Sequence, residues 1–226
     1  MRKLLVFLIL LLVLAGVLDR VAVAGVEREI AARATARYDL ASPPEVTIHG
    51  VPFLTQAVAG RYDEVEVAVG PMTVAGVRLS GVDATLYGVT APLADLVTRA
   101  DQVDIRAERV VGTVVVGEEA LNRRAPRGIR VKAGPGALDV SGEITFLGRQ
   151  VPAEARMKIQ VTEDGLLLTP EKVELGGGIT VPDPERFIRY EIPLGDLPFN
   201  LKVSEVEPVA GGLRITAEAA DVPLRG

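Results

Sequence analysis

The sequence predicts an α+β protein that is mostly β, with a large antiparallel sheet partly covered by a helix near the N-terminus. Three observations carry this. Nearly every segment after residue 60 alternates apolar and polar side chains, as in Val65, Val67 and Val69, the pattern of strands with one buried face. The apolar content of 48% comes from Val, Leu, Ile and Ala, with only 4% aromatic residues and no Trp, which favours strands over a helical bundle. Finally, the one long helical pattern is confined to the start of the chain and stops at Ser42-Pro43-Pro44.

The N-terminus opens with Met1-Arg2-Lys3, followed by fifteen unbroken apolar residues from Leu4 to Leu18 and then Asp19-Arg20. A signal-peptide core needs roughly 7–15 such residues and a spanning helix about 20. Ala22-Val23-Ala24 before Gly25 fits a small-residue cleavage site, yet no strong helix breaker lies between residues 19 and 37. Residues 1–24 are therefore expected to be a signal peptide or a signal anchor, with residues 25–226 a single β-rich domain outside the membrane. Residues 25–38 read as an amphipathic helix, with Val26, Ile30 and Ala34 on one side. It either covers part of the sheet or lies on a membrane surface.

The elements then follow in order. Val46–His49 is a short strand, and Gly50 and Pro52 break it with Phe53 and Leu54 in the turn. Strands are expected over 62–69, 73–79 and 82–89, with turns at Gly70-Pro71 and Ser80-Gly81. Pro92 suits a first helical residue, so 92–99 reads as a short helix. A long strand over 103–116 with a bulge near Val110-Val111-Gly112 leads to a second short helix over 118–125. A meander follows over 129–133, 137–146, 151–161 and 166–175, and a short helix over 186–189 precedes the last two strands, 199–206 and 213–220.

Composition excludes several kinds of chemistry. The net charge of −5 and pI near 5.1 argue against nucleic acid as a partner. With no cysteine, there are no disulfides, thiolate metal sites or lipobox anchor. His49 is the only histidine, and no Gly-x-Ser-x-Gly elbow surrounds any serine. Asp63-Glu64-Glu66 and Glu118-Glu119 place acids at positions that diverge in direction, and Gly176-Gly177-Gly178 lacks the residues of a phosphate loop. No catalytic residues, metal site or cofactor are expected.

One polar feature stands out. Arg123, Arg124, Arg127, Arg130 and Lys132 fall within ten residues that contain no acid. They form either a solvated basic face or a grip for phosphate, because guanidinium can bind phosphate bidentately. Arg124, Arg127 and Arg130 are the preferred three, since a turn at Pro126 and Gly128 would gather them.

Several stretches carry a family resemblance. They are the Gly50-Val-Pro-Phe-Leu-Thr-Gln56 turn followed by Tyr62 and Val65, then Gly112-Thr-Val114 with Leu121-Asn122, and Leu197-Pro-Phe199 with Leu213-Arg-Ile-Thr216. Together they resemble the actinobacterial LmeA family of phospholipid-binding envelope proteins, from about residue 19 to the C-terminus. The resemblance implies a non-enzymatic, exported protein that binds phospholipid and supports lipoglycan assembly such as that of lipomannan. It also implies a long curved antiparallel sheet wrapping the N-terminal helix around an apolar tunnel, similar to tubular lipid-binding (BPI-like) domains.

On that reading the in-phase residues Val67, Leu79, Leu86, Ile144, Met157, Ile159 and Ile215 line the inner face, some touching acyl chain and others packing on the helix. Arg124, Arg127 and Arg130 would hold an anionic headgroup, phosphatidylinositol among the candidates. The expected partners are phospholipid, the membrane surface and envelope biosynthesis enzymes, with the protein on the periplasmic side, released or anchored. The competing reading is a structural envelope adaptor whose apolar sheet face is only its own core.

Overall fold

The computed structural model describes residues 2–74, 77–91, 105–125, 128–146, 149–162, 165–176, 178–186, 190–193 and 200–224. The expected helix over 92–99 and most of that over 186–189 lie outside them. The chain is mostly strand with one long N-terminal helix, as expected, and its strands fall into two antiparallel sheets rather than one. It divides into two compact units: Met1–Gly70, Asp83–Gly112 and Ala219–Gly226 form the first, and Pro71–Val82 with Thr113–Glu218 the second.

In the first unit, helix α1 runs without interruption from Arg2 to Tyr38. Its C-terminal half packs on strand β1 (Glu45–His49) and on helix α2 (Phe53–Ala59). Strand β1 pairs antiparallel with β2 (Arg61–Val69), in register from Glu45 opposite Ala68 to His49 opposite Glu64. The outer edge of β1 is blunted by α1, because the Glu27 carboxylate accepts the Ile48 N–H at 2.9 Å. An edge N–H that would otherwise recruit another strand is thereby occupied. Val23 of α1 joins Ile48, Phe53, Ala57, Tyr62, Val89, Ala91 and Ala107 in one buried cluster.

The segment expected to be a plain turn at Phe53-Leu54 is helix α2. Phe53 and Ala57 lie one helical turn apart and are both buried, so a short helix can seat them side by side where a turn would expose one. Phe53 stacks on Tyr62 with ring centroids 6.0 Å apart. Gly60 ends the helix in the left-handed conformation (φ 67°), its N–H bonding back to the Ala57 carbonyl.

The expected strand over 73–79 is instead a hairpin. Strand β3 (Met72–Val74) folds back on β4 (Val77–Thr90), with Val74 opposite Val77 and Met72 opposite Leu79. The reversal thus falls between residues 74 and 77, and Ser80-Gly81, expected to turn, sits inside β4. The reversal moves the apolar phase from Met72 and Val74 to Val77 and Leu79, but in the sequence Ala75 already falls in the later phase, so a pattern begun at Thr73 shows no break. Strand β5 (Arg106–Gly117) follows.

The second unit begins its own framework with helix α3 (Glu118–Arg124). Strands β6 (Arg130–Gly134), β7 (Ala137–Phe146), β8 (Arg149–Val161) and β9 (Gly165–Leu175) form the expected meander, extended by β10 (Ile179–Thr180). A further strand, β11 (Tyr190–Pro193), pairs with β9 and was not foreseen. The ladder between β8 and β9 shifts register between Arg156 and Met157, a bulge of the kind that bends a sheet.

Strands β12 (Lys202–Val209) and β13 (Gly212–Pro223) close the chain as a hairpin. The other sheet runs in the order β1-β2-β4-β5-β13-β12, with β3 on β4. Ala133, Leu138, Met157, Leu166, Val206 and Leu213 form the second unit's core.

Candidate functional site

The basic segment begins on α3 and ends on β6. Asn122 fixes the two together. Its side-chain amide donates to the Val131 carbonyl at 2.7 Å and to the Glu118 carbonyl at 2.9 Å, and its oxygen accepts the Val131 N–H at 2.8 Å. The Glu118 carboxylate accepts the Ala133 N–H at 2.8 Å. Since β6 is the last strand of its sheet among the described residues, α3 occupies edge groups that would otherwise be open to another strand. The connection carrying the arginines is thus short and pinned at both ends.

Arg123 and Arg130 are exposed, and Arg124 closes α3. The side chain of Arg124 and the whole of Arg127 lie outside the described residues. Lys132 is opposite Asp139 across the ladder, and Asp139 in turn binds Arg156 at 3.2 Å. Arg130 stands opposite Ser141, which offers no charge. Of the two described cations on β6, Arg130 is therefore the one with no acid directly across the strand pair.

The seven expected apolar residues distribute as follows. Val67 is half-buried on β2, and Leu86 packs against the first unit's core from β4. Leu79 is buried on β4 within the second unit. Met157 belongs to the second core, with Ile159 and Ile215 packed against it. Ile144 lies on β7, and its side chain is outside the described residues. Two open depressions occur among the described residues, and neither is lined by any of these seven. One, of about 510 Å³, follows α1 past Val17, Arg20 and Val21, while the other, of about 420 Å³, crosses the charged face of β6–β9 near Lys132, Arg156 and Glu174.

His49 faces Glu64 and Glu66 on the polar side of the β1–β2 pair, with its Nε2 3.1 Å from a Glu66 carboxylate oxygen. All three offer ligand atoms within 4.8 Å of one another. The expected divergence holds for the neighbours Asp63 and Glu64 but not for Glu64 and Glu66, which are two residues apart and share a face. The trio is half-exposed, on the surface of the β1–β2 pair.

The Gly50–Gln56 segment explains itself residue by residue. Gly50 has φ 107° and leaves no room for a Cβ beside the Gln56 amide. Gln56 ties the start of β2 to the end of β1, donating to the His49 carbonyl at 3.0 Å and accepting the Asp63 N–H at 2.9 Å. Thr55 donates to the Pro52 carbonyl at 2.8 Å, and Phe53 fills the core. From α1, the Asp19 carboxylate accepts the Leu54 N–H at 2.8 Å while its other oxygen holds Arg20. It thus satisfies one of the open N–H groups at the start of α2.

This is the segment on which the resemblance most depended, and the match with known families covers it. A family model described as LmeA-like phospholipid-binding fits residues 17–218. The chain belongs to that family. Comparison with curated proteins and with solved structures finds no match. Family membership supports phospholipid binding as the chain's activity. The matched span begins at residue 17, so it includes Asp19, Arg20 and Val23 on α1, upstream of the small-residue site at Ala24. An apolar N-terminal helix of this length is compatible with export or with a signal anchor.

Proposed function

We propose that this chain is a non-enzymatic phospholipid-binding protein of the cell envelope, held on the periplasmic side by its N-terminal helix. The observation that carries the reading is the family match over residues 17–218. Two features of the chain support it. The apolar content is aliphatic, with only 4% aromatic residues, which suits acyl chains of varied length. The α3–β6 connection concentrates arginine in an otherwise acidic protein.

In this reading acyl chain is met by some of Val67, Leu79, Leu86, Ile144, Met157, Ile159 and Ile215. Arg124, Arg127 and Arg130 engage an anionic headgroup such as that of phosphatidylinositol. Transfer of chains from water is worth about 0.8 kcal/mol per CH₂, but the donor is a bilayer of similar polarity. Exchange is then nearly balanced, which suits a protein that loads and unloads lipid during lipoglycan assembly.

The test is uptake of fluorescent phospholipid from vesicles by the full chain and by the Arg124→Gln/Arg127→Gln/Arg130→Gln variant. The parent should take up phosphatidylinositol in preference to phosphatidylcholine, with a salt dependence that the triple variant flattens. The variant should keep its uptake of phosphatidylcholine. An undiminished preference in the variant removes the arginines from the site. A parent that takes up neither lipid overturns the lipid-binding reading and favours the adaptor.

A further inference from the structure

The Gly50–Gln56 turn contains two residues whose side chains have no inward role. Val51 is 81% exposed and Leu54 43%, and one helical turn beyond Leu54 lies Val58 at 85%. Leu54 and Val58 share one face of α2, and Phe53 and Ala57 share the buried one. The helix is therefore apolar on both sides, with only one side covered. Single exposed apolar residues are ordinary. Three within eight positions, on a short helix fixed to the end of another exposed apolar segment, form a patch.

That second segment is the first half of α1. The large side chains between Leu4 and Leu18 are 49–74% exposed. The run ends at Asp19, which is 3% exposed and accepts the Leu54 N–H at 2.8 Å. Arg20 donates to the Gly50 carbonyl at 3.3 Å. The residues that terminate the apolar run are thus bonded to the Gly50 carbonyl just before Val51 and to the N–H of Leu54 itself. Fifteen helical residues rise about 22 Å, whereas a hydrocarbon core is about 30 Å thick. A span that is short is accommodated by local thinning of the bilayer and by flanking side chains snorkelling, which brings the interface down to the residues that flank it. Val21, 65% exposed, and the outer face of α2 are the next apolar surfaces to arrive.

We propose that Val51, Leu54 and Val58 form a membrane-docking patch that sits in the headgroup layer of the phospholipid bilayer crossed by α1. This rests on the reading of α1 as a retained anchor. Cleavage after Ala24 would remove Asp19 and Arg20, which hold the turn, and Val23, which lies in the first core. Docking at two adjacent points fixes the first unit against the leaflet, so lipid is exchanged with that membrane without a search through solvent.

The chain contains no Trp, so a single introduced Trp reports its surroundings without a label. Val58→Trp and Val51→Trp test the patch, and Val13→Trp tests the span, each in the full chain reconstituted into phosphatidylcholine–phosphatidylinositol vesicles. The patch reporters should emit to the blue of N-acetyltryptophanamide in buffer and be quenched more by phospholipid brominated near the glycerol than near the chain ends. Val13→Trp should show the opposite depth preference. Patch reporters that emit as in water and escape quenching, beside a quenched Val13→Trp, overturn the docking patch and leave the anchor standing. An unquenched Val13→Trp overturns both.

Discussion

Replacing Asn122 with Leu should release β6 from α3 and loosen the connection that carries the arginines. The amide completes two strand-like hydrogen bonds with Val131, at 2.7 and 2.8 Å, on an edge with no further strand among the described residues. Each bond contributes about 0.5–1.5 kcal/mol net, so the pair is worth about 2 kcal/mol. The third bond, to the Glu118 carbonyl, adds little, and the better helix propensity of Leu returns a few tenths of a kcal/mol. For a chain of this size, about 2 kcal/mol lowers the melting temperature by about 4–8 °C.

Hydrogen exchange localises the effect. In Asn122→Leu the Val131 amide should lose protection, whereas Asn122→Asp keeps an acceptor for that N–H and should retain it while still melting early. A leucine variant that melts with the parent and protects Val131 equally well would refute this account of the α3–β6 clamp.

Two further substitutions test the cores and the closing hairpin. Phe53→Ala removes a 3%-exposed ring that stacks on Tyr62 and should cost about 3–5 kcal/mol in urea unfolding, with a loss below about 1 kcal/mol contradicting its placement. Gly212→Ala drives a methyl into the Val116 carbonyl, a backbone group that cannot swing aside. It should cost about 1–3 kcal/mol, and a neutral result would show that Gly212 does not approach β5 this closely.

The strands were legible because period two is a local signal, and the meander from residue 130 to 175 follows the sequence almost to the residue. Helix α3 was legible because Pro126 in the sequence sets its end. Helix α2 was not, since seven residues with apolar side chains on both faces show no amphipathic stripe. The reversal between Val74 and Val77 was hidden because Ala75 falls in phase with Val77 and Leu79 in the sequence, which masks the shift from the earlier phase of Met72 and Val74.

That the strands divide between two sheets is decided by pairings across long sequence distances, which no local window contains. The same holds for the tethers at Asp19 and Glu27, whose partners lie 35 and 21 residues away. The Gly50–Gln56 motif was read from likeness alone, and its physical content appears only with the fold: Gly50 makes room, Gln56 ties two strands, and Phe53 packs. Arg130 was named as a site residue from local charge density, but sequence gave no sign that Asp139 would sit opposite Lys132 and leave Arg130 facing Ser141.

The central claim is that this protein carries phospholipid. Native mass spectrometry of the full chain, released from mild detergent, measures it directly. The account predicts a population heavier than the apo chain by the mass of whole phospholipid molecules, with fatty-acid heterogeneity in the adduct and enrichment of anionic headgroups. A clean apo mass under conditions that preserve lipid on a known lipid-binding control would contradict it, and the apolar sheet faces would then be core alone.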